Sequence, residues 1–160
     1  MLLFDKYQLK KIHASLVKRK ETIAVAESVT SGLLQAAFSQ SEEASAFYHG
    51  GITVYNLGQK YKHLKVEPIY AENCFCVSQK VSNEMAINVC DLFSSHWGIG
   101  ITGFCTPVPE SENKLFAYLS IAYQKKIIFK QKIVPEVTDP FAVQLFYTQT
   151  TLDKLLKKLV

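Results

Sequence analysis

Arginine is almost missing from this sequence, since Arg19 is the only arginine among 18 lysine and arginine residues. The lysines are scattered along the chain and form no stripe, and the net charge is only +4. Proteins that read nucleic acid concentrate basic residues on one face and use arginine for most direct base contacts. The composition therefore argues against specific nucleic-acid binding.

Long hydrophobic runs are also missing. No apolar stretch is long enough to span a bilayer, and the opening Met-Leu-Leu-Phe-Asp segment lacks the pattern of a secretory signal. We therefore expect no membrane association and a cytoplasmic location. The 160 residues, of which 48% are hydrophobic, are enough for one domain with a sizeable core. We expect a single domain over residues 1–160.

Cysteine is scarce and poorly spaced for metal binding. The four cysteines are Cys74, Cys76, Cys90 and Cys105, and only the first two are close together. Their spacing, taken with that of the four histidines, matches no zinc motif. We predict reduced and mostly buried thiols, and we expect neither a metal nor a cofactor.

Hydrophobic periodicity predicts five helices and five strands in the order α-β-α-β-α-α-β-β-β-α. The first helix is predicted over about residues 5–19 and the last one from Asp139 onward. A further helix begins at Ser78, a typical N-cap residue. The predicted strands are 22–26, 52–55, 97–101, 115–123 and 127–134. This order indicates an α/β fold, a three-layer α/β/α sandwich with a mixed sheet of about five strands.

The stretch from Thr22 to Gly32 carries the clearest candidate site. An apolar strand ends there in a carboxylate, three hydroxyls and a glycine, and a helical pattern follows. Such strand–loop–helix corners commonly expose a binding site in α/β folds. On spacing alone, a simpler interpretation is that Ser28 and Thr30 cap the helix.

Four segments together resemble a known family, the CinA carboxy-terminal domain family. Residues 26–32, Ala-Glu-Ser-Val-Thr-Ser-Gly, are similar to its Ala-Glu-Ser-Cys-Thr-Gly-Gly signature. The other three segments follow in the family's order. They are Gly50-Gly51 with Tyr55 and Lys60, Val77-Ser78, and Ile101-Thr102-Gly103 with Pro107. The resemblance therefore covers nearly the whole chain and implies a stand-alone domain of this family.

The resemblance implies an amidohydrolase. The best-characterised activity of the family is deamidation of nicotinamide mononucleotide, so the implied partner is a small nucleotide amide. Ser28 matches the family's nucleophile and Lys60 its base. Tyr55, on the strand that leads to Lys60, can orient the serine or relay a proton. A lysine acts as a base only where its pKa is lowered towards neutrality.

The resemblance also implies a set of substrate-binding residues and self-association. The implied binding residues are Glu27, Thr30, Ser31, Gly32, Gly51, Thr102 and Gly103. The backbone amides of residues 30–32 can hold an oxyanion or a phosphate, and Glu27 can bind a ribose or fix the loop. Thr102 and Gly103 would form the facing wall. Because relatives commonly self-associate, we expect a homo-oligomer, with the last two strands as candidate contacts.

Four positions depart from the family pattern and leave a second interpretation open. Ser31 replaces a glycine, Phe104 begins a bulkier facing loop, and Pro140 and Gln144 stand where relatives carry arginines. Arginine binds phosphate through a bidentate fork that neutral side chains cannot reproduce. The alternative is therefore a catalytically inactive CinA-like domain that binds a ligand or a protein.

Overall fold

Five strands and six α-helices follow one another in the computed structural model, which describes residues 3–160. The helices are α1 (Lys6–Arg19), α2 (Leu33–Ser39), α3 (Leu57–Leu64), α4 (Pro68–Asn73), α5 (Gln79–Phe93) and α6 (Pro140–Leu159). The strands are β1 (Ile23–Glu27), β2 (Tyr48–Thr53), β3 (Trp97–Gly103), β4 (Ala117–Tyr123) and β5 (Lys126–Ile133). Met1 and Leu2, the first two residues of the opening Met-Leu-Leu-Phe-Asp segment, lie outside the described residues.

The strands form one mixed sheet in the order β2-β1-β3-β4-β5. Strand β1 pairs in parallel with β2 and β3, whereas β4 runs antiparallel to both of its neighbours. All five residues of β1 are buried, as expected for a strand at the centre of a parallel region. The predicted single-domain α/β fold with a five-stranded mixed sheet is confirmed.

Helices cover both faces of the sheet. The larger core unites α1, α2 and α6 with one face, and a second core unites α3 and α5 with the other. The carboxyl ends of β1, β2 and β3 therefore open at one edge, between the two helical layers. Within residues 3–160, no helix has the length and apolar character needed to cross a membrane.

Several local predictions are confirmed. The Ser78 hydroxyl caps α5 by accepting the Val81 amide at 3.1 Å. Gln124 and Lys125 form the tight turn between β4 and β5 with φ values of 48° and 63°. Positive φ at both central residues matches the right-handed twist of a hairpin.

Two local predictions need correction. Gly50 and Gly51 lie inside β2 and do not precede it, because the strand begins at Tyr48. Helix α4 was not predicted, since six residues are too few to show a helical period. Its start nevertheless has a sequence signal: Glu67 caps the Ile69 and Tyr70 amides, with Pro68 at the first helical position.

Glycine in β3 allows α5 to lie directly on the sheet. A Cβ atom at Gly100 would stand 2.6 Å from the Ala86 backbone nitrogen and against the Ser82 carbonyl oxygen. Backbone atoms of a packed helix cannot yield as the end of a flexible side chain can. The distance between α5 and β3 therefore depends on the absence of a side chain here.

We expect Gly100→Ala to lower the free energy of unfolding by about 2–3 kcal/mol, because the added methyl group overpacks this contact. Gly58→Ala is the matched control, since its Cβ would meet only Asn56 Oδ1 at 3.6 Å. Gly58 lies within α3, so the control should raise stability by about 0.5–1 kcal/mol. Urea denaturation measures both changes, and equal stability of the two variants would contradict the argument.

Candidate active site

An open cavity of about 520 Å³ lies at the carboxyl ends of β1 and β3. Ser28 and Lys60 lie on its wall, and Tyr55, Thr102 and Gly103 line it as well. The structure therefore brings together five of the residues singled out in the sequence. The remaining five lie outside the lining, and they are Glu27, Thr30, Ser31, Gly32 and Gly51.

Ser28 and Lys60 are in direct contact. Lys60 Nζ donates a hydrogen bond of 2.9 Å to Ser28 Oγ and a second of 2.8 Å to the Val54 carbonyl oxygen. The Ser28 amide donates to the Ile101 carbonyl oxygen at 3.1 Å, which holds the serine against β3. The Lys60 side chain is only 1% exposed. A hydroxyl and an amine thus share a buried wall beside an open cavity.

Burial also changes the acid–base behaviour of Lys60. Loss of solvent around the ammonium group lowers the pKa of Lys60 from 10.5 to about 8, although the nearby Cys76 thiol acts in the opposite direction. Near neutral pH, a minor fraction of the Lys60 side chains therefore carries a neutral amine. An unprotonated amine can accept the proton of the Ser28 hydroxyl.

Glu27 fixes the corner between β1 and α2. One carboxylate oxygen accepts the Thr30 hydroxyl at 2.5 Å and the amides of Gly32 and Leu34 at 3.2 and 3.1 Å. The other oxygen accepts the Gln35 amide at 2.9 Å. The two roles expected of Glu27 were ribose binding and fixing of the loop. Its fully buried carboxylate fixes the loop.

The simpler interpretation of the corner is therefore wrong. Ser28 and Thr30 do not cap α2, because its N-cap residue is Gly32 and the capping carboxylate belongs to Glu27. A negative charge at this position also suits the positive end of the helix dipole. Since capping does not use the Ser28 hydroxyl, that group is left to contact Lys60.

The loop amides are partly engaged within the protein. The Ser31 amide donates to the Ser28 carbonyl oxygen at 3.1 Å, and the Gly32 amide donates to Glu27. The amide of Val29, a buried residue that lines the cavity, has no acceptor among residues 3–160. Val29 therefore offers a free backbone donor directly after the serine.

Two hydrogen bonds hold the wall of the cavity that faces Ser28, which is formed by the end of β3 and the loop after it. Thr102 Oγ1 donates to the Cys76 carbonyl oxygen at 2.8 Å and ties β3 to the segment before α5. Phe104 follows, and its carbonyl oxygen accepts the Tyr147 hydroxyl at 2.9 Å. The Phe104 and Cys105 side chains line the cavity beside Gly103.

Tyr55 and Gly51 take different places. Tyr55 is 68% exposed at the cavity rim, and its hydroxyl makes no hydrogen bond within residues 3–160. Gly51 lies in β2, where a Cβ atom would stand 2.6 Å from Val25 Cγ2 and 2.7 Å from Gln35 Cγ. Gly51 thus allows close packing inside the fold, at a distance from the cavity lining.

Pro140 and Gln144, the two positions at which the family resemblance implies arginine, have structural uses here. Gln144 donates its side-chain amide to the Val29 carbonyl oxygen at 2.9 Å, so it holds the loop that follows Ser28. Pro140 is the first residue of α6, after the N-cap Asp139. Arg19 lies on α1, where its guanidinium donates to the Leu159 carbonyl oxygen at 2.9 Å.

The structure adds cavity residues that the sequence did not indicate. Helix α4 and the segment after it supply Glu72, Phe75 and Cys76, and the loop after β3 supplies Val108 and Glu110. These residues lie far apart in the sequence and belong to no recognisable motif. The cysteines are free, but only Cys90 is fully buried, which corrects the expectation of mostly buried thiols.

Within residues 3–160, His, Cys, Asp and Glu side chains nowhere come together in groups of three that could hold an ion. The reactive groups that line the cavity are hydroxyls, an amine, thiols and carboxylates.

Comparisons with known proteins agree with this architecture. The CinA C-terminal domain family matches residues 6–159. A CinA-like protein from Synechocystis is 38% identical over 103 residues, which are 64% of this chain and 25% of that protein. A CinA-like protein from Koribacter versatilis is 31% identical over 91% of this chain and 35% of its own length. The chain thus spans about a quarter to a third of these relatives.

Solved structures show the same fold. A competence-damaged protein (CinA) superfamily protein from Klebsiella pneumoniae has a TM-score of 0.90 with 22% identity, covering 96% of both chains. A competence/damage inducible protein from Agrobacterium tumefaciens has a TM-score of 0.90 with 19% identity, covering 98% of both chains. From the match over residues 6–159, the chain belongs to the CinA C-terminal domain family.

Proposed function

We propose that this chain is an amidohydrolase of the nicotinamide-nucleotide amidase type, with Ser28 as the nucleophile and Lys60 as the general base. The observation that carries the proposal is the 2.9 Å contact between Lys60 Nζ and Ser28 Oγ beside the open cavity. Nucleophile and base within hydrogen-bond reach are the basic requirement of covalent amide hydrolysis. The lowered pKa of Lys60 supports the role of the base.

The first half of the reaction forms an acyl-enzyme. The neutral Lys60 amine takes the Ser28 hydroxyl proton while Oγ attacks the carbonyl carbon of the amide. The oxygen of the tetrahedral intermediate becomes negative, and the free Val29 amide is the available donor to it. The Lys60 ammonium then gives its proton to the leaving nitrogen, so the C–N bond breaks and ammonia departs.

The second half regenerates the enzyme. Lys60, neutral again, takes a proton from a water molecule that attacks the ester carbon. The C–O bond to Ser28 breaks, Ser28 Oγ recovers a proton from Lys60, and the product leaves as a carboxylic acid that then ionises. The hydrogen bond from Lys60 to the Val54 carbonyl oxygen keeps the amine in place through both halves.

A catalytically inactive binding module is the second candidate function, because the cavity formed by residues 3–160 lacks the arginines that would hold a phosphorylated substrate. Within residues 3–160, no arginine lines the cavity, and Gln144 holds the Val29 loop where relatives carry arginine. The direct contact between Lys60 and Ser28 speaks for the enzyme, because a binding module has no need for a buried amine on a serine. Self-association and a cytoplasmic location stay predictions.

We expect purified protein to release ammonia from at least one amide in a panel of nicotinamide mononucleotide, nicotinamide riboside and nicotinamide. Ser28→Ala and Lys60→Ala should each lower kcat by about 1,000-fold, because each removes one half of the proton-transfer pair. Coupled ammonia detection measures the rates. Lys62→Ala, an exposed lysine two residues further along α3, is the control and should keep full activity.

The binding-module alternative predicts a different result. Wild type and Ser28→Ala would then give the same signal as a blank on every amide, although both remain folded. A urea unfolding curve for each variant separates loss of chemistry from loss of structure.

We also expect kcat/KM to rise with pH, by about tenfold per pH unit below pH 8, and to level off above it. The base form of Lys60 is the neutral amine, and its fraction grows as pH rises through the pKa of about 8. Measurement from pH 6 to pH 9.5 with an amide that does not itself titrate tests this. A rate that falls with rising pH across this range would exclude Lys60 as the base.

A further inference from the structure

The charges of the cavity are unusual for a site that receives a phosphate. Among residues 3–160, Lys60 is the only cationic side chain that lines the cavity, and its amine is already bonded to Ser28 and Val54. Two carboxylates, Glu72 and Glu110, line the same cavity, and both residues are exposed at its rim. A dianionic phosphate would therefore meet repulsion at the entrance and no free cation within.

Two lysines close in sequence to the cavity residues make contacts outside the cavity. Lys114, four residues after Glu110, pairs with Glu112 at 2.8 Å. Lys80, at the start of α5, lies over the Tyr70 ring, with Nζ 4.3 Å from the ring centroid. Neither lysine lines the cavity.

The start of α2 does not replace the missing cations. Amides at the start of a helix commonly bind phosphate, but the first amides of α2 donate to the Glu27 carboxylate. A second anion at this helix end would stand beside that buried carboxylate. The start of α2 is thus already occupied by the protein's own carboxylate.

The rest of the lining suits a flat ring that is neutral or positive. Phe75 and Phe104 offer aromatic faces, and Tyr55 stands exposed at the rim. Aromatic faces and carboxylates both attract a cation, and a pyridinium ring that carries a carboxamide has that charge.

We propose that the site takes a phosphate-free aromatic carboxamide, neutral or cationic, in preference to its phosphorylated counterpart. This inference rests on the proposed amidohydrolase function for its reaction and on the lining residues for its substrate class. Nicotinamide riboside and nicotinamide mononucleotide are the matched probes, since they share the ring, the amide and the ribose and differ in the phosphate.

The first measurement compares kcat/KM for the two probes at low ionic strength with the full chain. We expect the riboside to be at least about tenfold better, because a phosphate gains no charge-assisted contact and meets two carboxylates. Equal rates, or a better rate with the mononucleotide, would overturn the inference.

The second measurement tests the carboxylates. Glu72→Gln combined with Glu110→Gln should raise kcat/KM for the mononucleotide by about three- to tenfold and narrow the ratio between the probes. The control is Glu136→Gln, an exposed glutamate outside the cavity lining that forms no ion pair among residues 3–160, which should leave the ratio unchanged. An unchanged ratio in the double variant would count against the proposal.

A binding measurement distinguishes failure of the proposed reaction from failure of the proposed preference for a substrate without phosphate. If neither probe releases ammonia, the proposed function fails, and calorimetry on Ser28→Ala then decides the class. Tighter binding of the riboside than of the mononucleotide supports the inference. Tighter binding of the mononucleotide, or binding of neither probe, overturns it.

Discussion

The carboxylate of Glu27 is the interaction on which the arrangement of the site depends. Buried at the end of β1, it accepts the Thr30 hydroxyl and three amides at the start of α2. Two of those donors, the Thr30 hydroxyl and the Leu34 amide, are buried and would otherwise lack a partner, at a cost of about 1–3 kcal/mol apiece. Because Glu27 performs the capping, the next residue, Ser28, presents its hydroxyl to Lys60. The same contact withdraws the helix end from anion binding.

Lys60 shows how the fold creates a base from an ordinary lysine. Its position on α3 is set by the Asn56 cap, whose side chain accepts the Gln59 amide at 3.0 Å. The amine meets a carbonyl and a hydroxyl, both neutral acceptors, so burial lowers its pKa without a carboxylate to raise it again. A carboxylate beside Lys60 would satisfy the charge and remove the basicity that the proposed reaction needs.

The sequence predicted the layers and the five-stranded mixed sheet, which follow from periodicity and turn residues, and it directed attention to the corner after β1. The pairing of Ser28 with Lys60 followed from the family resemblance alone and not from periodicity or spacing, because 32 residues separate them and only the pairing of β1 with β2 brings them together. The capping role of Glu27 was one of two alternatives, and its partners are backbone groups with no sequence signature. The sequence did not predict that Glu72 and Glu110 line the cavity, because they lie on a short helix and in an irregular loop.

Gln144 and the two carboxylates of the cavity together support the proposed substrate class. Gln144, at a position where the family resemblance implies an arginine, donates to the Val29 carbonyl oxygen and so stabilises the loop after Ser28. Glu72 and Glu110 line a cavity in which, among residues 3–160, Lys60 is the only cationic side chain. Repulsion at the rim and the lack of a partner within act in the same direction, against a phosphate. Neither Gln144 nor the two glutamates form a hydrogen bond with Ser28 or Lys60. The chemistry of Ser28 and Lys60 requires only an amide carbonyl within reach. The proposed reaction and the proposed substrate class therefore rest on separate groups of the same cavity.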